Sequence, residues 1–294
     1  MTPFEYREPD TQEEALALLH DYGEDAKIIA GGTALVIMLK QRLVMPASLV
    51  SLRRLRSLGD IAPVNGELRL GALLTHRAVE TSPLIRTRVP LLGETYRQVA
   101  TIRIRNMATV GGALAHADPN QDPLATLMAL DARVRLASAG GTREVPLDGF
   151  FTGYYETVLQ PHELLTDVLV PVPAPHTRGV YLKFLPRTAD DYATVGVAAT
   201  VRIDPATGVC QECRIALACV GPTPIRARQA EALLRGQRLT PELLREAGAA
   251  AQQLTDPISD IRGSAEYKRA MAGVFVRRAL EQAWQTSRAS GDSR

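Results

Sequence analysis

Two diglycine turns are the residues of this 294-residue chain best suited, by type and spacing, to hold a nucleotide. They read Ala30-Gly31-Gly32-Thr33 and Thr109-Val110-Gly111-Gly112, about eighty residues apart. Glycine lets the main chain approach a ligand closely and adopt a positive φ, so that backbone N–H groups point at a phosphate. The first turn also stands between a strand-like and a helix-like stretch, and a helix start favours an anion. The pair of turns therefore favours a diphosphate-containing ligand.

Each turn by itself is more typical of an ordinary tight turn than of a phosphate site, and the two best-known phosphate motifs are missing. The Rossmann motif needs Gly-x-Gly-x-x-Gly after a strand, and the P-loop needs a Gly-Lys-Ser/Thr ending. Neither string occurs in the sequence. The residues alone leave the identity of the ligand open.

The cysteines Cys210, Cys213 and Cys219 invite a redox or zinc interpretation. Alternation along a strand would put Cys213 and Cys219 on one face and Cys210 on the other. A structural zinc needs four ligands and a redox pair needs a helix N-terminus, and the sequence indicates neither. All three are therefore predicted to be buried structural residues, as free cysteines usually are.

A second group, His116, Asp118 and Asp122, invites a metal or acid–base interpretation. The preferred interpretation is a loop beside phosphates whose side chains cap backbone groups, a common role of Asp. The other histidines are predicted to lie on the surface: His20, His76, His162 and His176.

The composition around these residues is that of an ordinary globular protein, with 46% hydrophobic and 22% charged residues. The formal net charge is +2, and the basic residues are scattered, whereas nucleic-acid binders show a concentrated basic face. No apolar run approaches the ~20 residues of a membrane span, and the N-terminus lacks a signal-peptide pattern. Three cysteines fit a reducing compartment, so we expect a cytoplasmic protein. From the scattered basic residues we expect that it binds no nucleic acid.

Secondary-structure signals place the first turn at an element boundary. Thr11-Gln12-Glu13-Glu14 is a capping box that predicts a helix ending at Gly23. A strand from Ala26 to Ala30 then leads into the turn and into a helical stretch that reaches about Val44. Asn65-Gly66 between apolar runs predicts a hairpin.

The spaced prolines from Pro171 to Pro175 predict a linker between two domains. Beyond it, strands are predicted at 180–185, 193–203 and 213–220, and helices at 226–234, 242–253 and 265–284. Strands followed by helices predict an α+β arrangement. Residues beyond Gln285 are polar and are predicted to fray.

Longer stretches around the turns resemble a known family, the FAD subunits of xanthine dehydrogenases and aerobic carbon monoxide dehydrogenases. The stretch from Lys27 to Leu35 is similar to the family's first flavin loop, and that from Ile104 to Ala115 is similar to the second. The second stretch continues into His116-Ala117-Asp118-Pro119, also typical of the family. Further similar stretches are 190–194, 213–217, 220–227 and 260–269. The likeness covers nearly the whole chain in order, which makes it specific.

The resemblance implies an FAD site built from both turns. The loop around the pyrophosphate and ribityl chain would comprise Lys27, Ile28, Ile29, Ala30, Gly31, Gly32, Thr33, Ala34 and Leu35. The other phosphate-side loop would comprise Thr109, Val110, Gly111, Gly112 and Ala113. Asp122 would hydrogen-bond FAD, Leu165 would contact the flavin, and Tyr192 would shield one face of the isoalloxazine.

Two positions depart from the family pattern. Ala113 stands where relatives often have Asn or Ser, so one side-chain hydrogen bond to the cofactor is expected to be absent. Thr194 stands where xanthine dehydrogenases have Lys, which favours the carbon monoxide dehydrogenase branch and removes one cation from the neighbourhood of the flavin.

For the fold, the resemblance implies an α+β protein. A two-lobed FAD-binding domain of the PCMH (vanillyl-alcohol-oxidase-like) type would span 1–176, with lobes of about 1–58 and 59–176. A smaller α+β C-terminal domain, an antiparallel sheet plus helices, would span 177–286, and 287–294 would form a tail.

The function implied is that of the FAD-carrying electron-transfer subunit of a molybdenum hydroxylase. Its partners would be a large molybdopterin-binding subunit and a small subunit with two [2Fe-2S] clusters, in a dimer of heterotrimers. Electrons from the clusters would pass through FAD to a quinone, NAD or oxygen. No catalytic side chain and no metal ligand are expected in this chain, because the flavin supplies the chemistry. Two alternatives stay open: a stand-alone flavin oxidoreductase, and a non-catalytic scaffold whose loops bind a nucleotide or nothing.

Overall fold

The computed structural model describes residues 2–185 and 187–289. Its strands are β1 (Glu5–Arg7), β2 (Ala26–Ile29), β3 (Ser48–Ser51), β4 (Ile61–Val64), β5 (Glu67–Gly71), β6 (Arg133–Ser138), β7 (Gly141–Pro146), β8 (Phe151–Gly153), β9 (Glu156–Thr157), β10 (Leu164–Pro171), β11 (Thr177–Phe184), β12 (Val195–Ile203), β13 (Cys210–Ala218) and β14 (Ile225–Arg226). Its helices are α1 (Gln12–Tyr22), α2 (Leu35–Lys40), α3 (His76–Thr81), α4 (Pro83–Arg88), α5 (Pro90–Arg97), α6 (Ile102–Met107), α7 (Val110–His116), α8 (Asp122–Ala129), α9 (Arg228–Leu234), α10 (Pro241–Gln252) and α11 (Ala265–Ala289).

The chain divides into two units that interleave in sequence. Among the described residues, the first unit contains 2–79, 101–117 and 132–171. The second contains 80–100, 118–131, 172–185 and 187–289. The predicted domain boundaries, 1–176 and 177–286, stay a prediction.

The first unit contains a parallel sheet in the order β1-β3-β2, with α1 packed against it. Thr11 begins α1 because its Oγ1 accepts a hydrogen bond from the backbone N–H of Glu14 at 3.1 Å, as the capping box predicted. Leu16 and Leu19 of this helix share a buried core with Val50 of β3. β2 ends directly before the first diglycine turn and α2 begins directly after it, so the sheet fixes where the turn starts.

The same unit contains an antiparallel sheet in the order β4-β5-β10-β6-β7. The predicted hairpin joins β4 to β5, with φ of 49° at Asn65 and 82° at Gly66. Arg133 crosses from β6 to Glu67 on β5 with a 2.7 Å ion pair, and Arg69 pairs with Asp167 on β10 at 2.8 Å. Strand β5 ends at Gly71, and the carbonyl of the next residue, Ala72, accepts a hydrogen bond from the N–H of Gly111 at 2.9 Å, so this sheet adjoins the second diglycine turn.

One short helix, α6, precedes the second turn, and another, α7, begins within it. Thr101 caps α6 by accepting from the N–H of Ile104 at 3.3 Å, and Thr109 caps α7 by accepting from the N–H of Gly112 at 3.1 Å. Ala117 ends α7 in the left-handed conformation, with φ of 52°. The glycine pair therefore forms the first turn of a helix, where the sequence predicted only a turn.

The second unit is built on an antiparallel sheet in the order β11-β12-β13-β14. Alternate residues of β12, including Val197 and Val201, are fully buried in one core with Val276 and Leu280 of α11. α8 also packs against β12 and β13. The strands-then-helices order predicted beyond the linker is confirmed, and so is the α+β class.

Several elements differ from the predicted ones. α2 ends at Lys40, four residues short of the predicted end, because Arg42 turns the chain with φ of 59° and the N–H of Leu43 returns to the carbonyl of Met38. Short helices α4 and α6 and strand β7 were not predicted. α11 continues to Ala289, beyond the predicted fraying point, and residues 290–294 of the predicted tail lie outside the described residues.

The predicted burial of the cysteines is confirmed, but the face assigned to Cys210 is wrong. A register shift opposite Arg202 and Ile203 inserts an extra residue into β13. The bulge changes the alternation of side chains, so Cys210 and Cys213 share one core. Burial raises the pKa of the Cys210 thiol to about 11, so the thiol stays protonated at neutral pH.

Candidate cofactor site

The two diglycine turns lie side by side in the first unit. A Cβ atom at Gly31 would overlap the carbonyl oxygen of Met107, which lies two residues before the second turn. A Cβ at Gly112 would come within 3.9 Å of the Cβ of Ala30. Backbone therefore packs directly on backbone at this point, and a side chain at position 31 would force the two segments apart.

The second turn is packed just as closely against Ala72, the residue that follows β5. A Cβ at Gly111 would lie 2.5 Å from the Cβ of Ala72. The N–H of Ala72 in turn donates to the carbonyl of Thr166 on β10 at 2.8 Å, beside the buried Leu165. The turn is thereby fixed to the central strand of the antiparallel sheet.

Backbone N–H groups of the first turn are uncommitted. Within residues 2–185 and 187–289, the five N–H groups from Gly31 to Leu35 donate to no acceptor, and the first helical bond runs from Val36 to the carbonyl of Gly32 at 3.0 Å. Gly32 has a φ of 69°, which L side chains rarely adopt. Free backbone donors at a strand-to-helix turn can bind phosphate oxygens, so this turn is suited to a diphosphate.

The N–H groups from Val110 to Ala113 are, by contrast, all used inside the protein, whereas the N–H of Thr109 donates to no acceptor among the described residues. Val110 donates to the carbonyl of Leu74 and Gly111 to that of Ala72, both at 2.9 Å. Gly112 donates to Thr109 Oγ1, and Ala113 donates to the Thr109 carbonyl at 2.9 Å. These four N–H groups of the second segment are therefore satisfied within the protein.

The segments that carry both turns are free of acidic residues. No Asp or Glu occurs between Asp25 and Asp60, a stretch with six Lys and Arg residues. None occurs from 101 to 117 either, where Arg103 and Arg105 lie on α6. The sign of the local charge therefore favours an anionic ligand.

In the second unit, Asp122 is buried at the start of α8, where its carboxylate has two side-chain partners. Its Oδ1 accepts a hydrogen bond from the hydroxyl of Tyr181 at 2.6 Å, and its Oδ2 pairs with Nζ of Lys183 at 2.9 Å. Lys183 Nζ also donates to the carbonyl of Gln98 at 2.9 Å. Burial raises the pKa of the Asp122 carboxyl, while Lys183 and Tyr181 act to lower it. Both oxygens of Asp122 are thus engaged within the protein.

Sequence reasoning missed both partners of Asp122. Tyr181 and Lys183 stand two residues apart on β11, and period-two alternation places their side chains on one face of that strand. The sequence indicates that Tyr181 and Lys183 share a face, but it does not indicate that Asp122 lies opposite that face.

Tyr192, predicted to shield the flavin, is about half exposed, and its ring lies 5.7 Å from the guanidinium carbon of Arg262. Arg262 is held by Asp260, whose Oδ2 accepts from its Nε and Nη2 at 3.0 and 2.6 Å. Thr194 donates from its hydroxyl to the carbonyl of Arg262 at 3.2 Å. A cation therefore does lie beside Tyr192, supplied by Arg262 and not by position 194, and sequence reasoning gave Arg262 no role.

Known proteins similar to this chain agree with a flavin-binding site. Residues 2–173 match the family described as the FAD binding domain in molybdopterin dehydrogenase, and residues 180–283 match the CO dehydrogenase flavoprotein C-terminal domain. The carbon monoxide dehydrogenase medium chain of Hydrogenophaga pseudoflava is 38% identical over 281 residues, covering 96% of this chain and 97% of that relative. The chain belongs to the FAD-binding medium subunits of the molybdenum hydroxylases.

Two further comparisons extend this result. The 6-hydroxypseudooxynicotine dehydrogenase complex subunit alpha of Paenarthrobacter nicotinovorans is 37% identical over 290 residues, covering 99% of this chain and 97% of that relative. The solved carbon monoxide dehydrogenase from Hydrogenophaga pseudoflava that lacks the Mo-pyranopterin moiety of its cofactor has a chain with a TM-score of 0.93 and 40% identity, covering 97% of this chain and 99% of that one. The family resemblance is confirmed, and this medium subunit is part of an oxidoreductase. Relatives named for different substrates match almost equally well, so the likeness identifies the subunit and not its substrate.

Asp118 and His76 of the medium subunit both make hydrogen bonds within the protein. Asp118 Oδ1 accepts from the backbone N–H of Asn120 at 3.0 Å and from its side chain at 2.9 Å, as the capping interpretation predicted for this residue. Asp122, from the same predicted group, instead binds the side chains of Tyr181 and Lys183. His76 was predicted to lie on the surface but is 3% exposed, because α3 begins beneath the second turn and the His76 N–H donates to the Ala108 carbonyl at 2.9 Å. Burial lowers the pKa of His76 to about 4, so the imidazole is neutral at physiological pH.

None of the described helices of the medium subunit is long and apolar enough to cross a membrane.

Proposed function

We propose that the medium subunit binds the diphosphate of FAD on the N–H groups from Gly31 to Leu35, and that electrons pass through the bound flavin. The observation that carries this proposal is the row of five uncommitted donors, on a turn that only glycine can form so close to Met107. The absence of acidic residues on both flanking segments supports it.

In this proposal, each turn has a separate task. The first loop, Lys27 to Leu35, holds the phosphates. The second, Thr109 to Ala113, packs beside it at Gly112 and Ala30, and Met107, just before the second loop, packs on Gly31. Bound FAD supplies a two-electron store that can exchange electrons with one-electron carriers. Leu165 provides an apolar contact from β10, and Tyr192, held by Arg262, covers one face of the ring system. Asp122 contributes by fixing α8 and β11, because Tyr181 and Lys183 already engage its oxygens.

The proposal extends to the partners and to the compartment. A large molybdopterin-binding subunit oxidises the substrate, and a small subunit with two [2Fe-2S] clusters delivers the electrons, in a dimer of heterotrimers. The acceptor is a quinone, NAD or oxygen. Names of relatives such as medium chain and complex subunit support a multi-chain enzyme, and three free, buried cysteines fit a cytoplasmic location. The domain division at 176/177 belongs to the same proposal.

Amide hydrogen exchange with and without added FAD tests the division of tasks between the turns. In the cofactor-free medium subunit, the amides from Gly31 to Leu35 should exchange rapidly, and FAD should slow them. The amides from Val110 to Ala113 should exchange slowly in both states, because they already donate within the protein. Equal FAD-dependent protection of both turns would contradict the assignment, and no protection at the first turn would refute it.

The subunit role has its own test. The chain, tagged and purified from its own cells, should carry flavin absorbance and should co-purify with chains that contain molybdenum and iron. A tagged chain that is isolated alone, yellow, and able to oxidise a substrate without partners would be a stand-alone oxidoreductase. A chain that stays colourless after incubation with FAD would be the scaffold.

A further inference from the structure

One turn of the second unit presents apolar side chains to solvent in an unusual way. Ile261 is 85% exposed, more than any other large apolar side chain among residues 2–185 and 187–289. Ile258 is 61% exposed and Tyr267 45% exposed within a few residues of it. We call residues Ile258 to Gly263 the Ile261 turn. Single exposed apolar residues are common, so exposure alone indicates nothing about a partner.

The Ile261 turn is held rigidly from inside, unlike an ordinary exposed loop. Asp260 and Gly263 exchange two backbone hydrogen bonds, each of 3.1 Å. Lys268, only 3% exposed in its side chain, donates from Nζ to the carbonyl of Ile258 at 2.9 Å and pairs with Asp260 at 2.7 Å. A side chain presented by a fixed backbone loses little entropy when a partner binds it, which is the property of an anchor residue.

Charges of the Ile261 turn are directed inward. Asp260 Oδ2 accepts from Arg262, Oδ1 pairs with Lys268, and the Arg262 side chain is about one-fifth exposed. The large apolar surface that the turn offers to solvent is therefore that of Ile258 and Ile261, and Tyr267 on α11 adds to it. The Ile261 turn is therefore suited to an apolar pocket on a protein chain. A phosphate or a lipid headgroup would require outward-facing cations, and the charged side chains of this turn face inward.

The position of the Ile261 turn limits which chain of the complex could bind it. Arg262, the next residue along the chain, lies over the ring of Tyr192, and Thr194 donates to the Arg262 carbonyl. A chain seated on Ile261 would therefore lie close to the residue assigned to the flavin face. An electron donor must approach the flavin closely, whereas the chain that binds the organic substrate has no such requirement.

We propose that the Ile261 turn is the docking anchor for the electron-delivering chain of the complex, which receives Ile261 in an apolar pocket beside Tyr192. The proposal rests on the proposed function, since it assumes that electrons reach the flavin from a separate polypeptide. In this proposal the Ile261 turn is a contact surface of the medium subunit, and its partner is the electron-delivering chain.

Photo-crosslinking in the native complex tests the choice of partner. A tagged medium subunit carrying p-benzoylphenylalanine at position 261 is purified from its own cells, irradiated, and analysed by mass spectrometry. Val64, exposed in the first unit, is the matched control position. The expected product joins position 261, and not position 64, to the chain that carries the iron–sulfur clusters. A crosslink to the molybdenum-binding chain, to a second medium subunit or to lipid would overturn the proposal, and so would the absence of any crosslink.

Substitution tests the energetic role of the anchor. Ile261→Asp should weaken assembly roughly tenfold or more, while Ile261→Leu and Val64→Asp should assemble normally. Thermal unfolding of the isolated Ile261→Asp chain should be unchanged, because the side chain is 85% exposed. Normal assembly of Ile261→Asp into a molybdenum-containing complex would overturn the docking proposal alone. If the wild-type chain co-purifies with no molybdenum at all, the proposed function fails, and the docking proposal fails with it.

Discussion

The two diglycine turns share a sequence pattern but use their backbones differently. From Gly31 to Leu35 the N–H groups have no acceptor within the described chain, whereas Val110 to Ala113 all donate to protein oxygens. Asp122 belongs with the second turn in this respect, since Tyr181 and Lys183 occupy its oxygens. The comparison shows that one sequence pattern can leave its backbone donors free in one place and satisfied in another, which is why we propose the first turn as the phosphate ligand.

The largest effect is expected from separating the buried ion pair of Asp122. Asp122→Asn would leave Lys183 charged and buried, with 2% of its side chain exposed, at a cost of about 3–5 kcal/mol in the free energy of unfolding. Chemical denaturation measures this loss, and the double variant Asp122→Asn/Lys183→Met should recover much of it. If Asp122→Asn kept its stability but lost FAD affinity, Asp122 would be a cofactor ligand. It would then no longer belong with the second turn, whose donors are satisfied within the protein.

Acid should destabilise the framework beneath the second turn. Burial, opposed by a contact with Thr109 and aided by Arg105, lowers the pKa of His76 from 6.5 to about 4. Between these values only the unfolded chain binds the proton, so stability is complete above pH 6.5 and falls by about 3 kcal/mol as pH drops to 4. Unfolding free energies across this range should lose that slope in His76→Gln and keep it in His20→Gln, a variant of an exposed histidine. An unchanged slope in His76→Gln would contradict the assignment.

Closing the space between the turns should affect both stability and cofactor binding. In Gly31→Ala the new methyl group would overlap the carbonyl of Met107, at a cost of about 1–3 kcal/mol and with loss of most bound FAD. Flavin content per chain and the thermal midpoint measure the two effects. Gly149→Ala is the matched control, since no atom lies within 4 Å of its Cβ position. Full flavin occupancy in Gly31→Ala would mean that the close approach of the turns is not needed.

The smallest effect is expected from the cap of the second turn. Thr109→Ala removes the oxygen that accepts from Gly112 and should cost about 1 kcal/mol of stability. Because the N–H groups from Val110 to Ala113 already donate within the protein, we expect FAD affinity, measured by fluorescence titration, to change less than threefold. Thr101→Ala removes an equivalent cap from α6 and serves as the control. A tenfold loss of affinity in Thr109→Ala alone would place the second turn among the ligands.

Much of the fold could be predicted because local rules act within a few residues. The Thr11 capping box, the Asn65-Gly66 hairpin and the order of strands and helices beyond the linker all agree with the structure. Helices α4 and α6 were missed because they are six residues long, too short for a periodic pattern. Cys210 was placed on the wrong face because a bulge changes the alternation, and no sequence signal marks this bulge.

The candidate site could be predicted as a set of residues but not as a set of contacts. The sequence supplied both turns, Asp122 and Tyr192, partly through their resemblance to a known family. It gave no role to Arg262, which lies seventy residues beyond Tyr192 and contacts its ring. It also placed His76 on the surface, since a histidine near the start of a short helix gives no sign of the turn that covers it.

By itself, the sequence determined which backbone segments can form tight turns, where α1 is capped and which strands alternate, because these outcomes depend on neighbours within about four residues. Tertiary structure decided which donors remain free. The N–H of Gly111 is used because Ala72 lies beneath it, and Asp122 is satisfied because Lys183, 61 residues away, reaches it. Acceptors that arrive from distant parts of the chain are selected by packing, and local residue preferences carry no information about them.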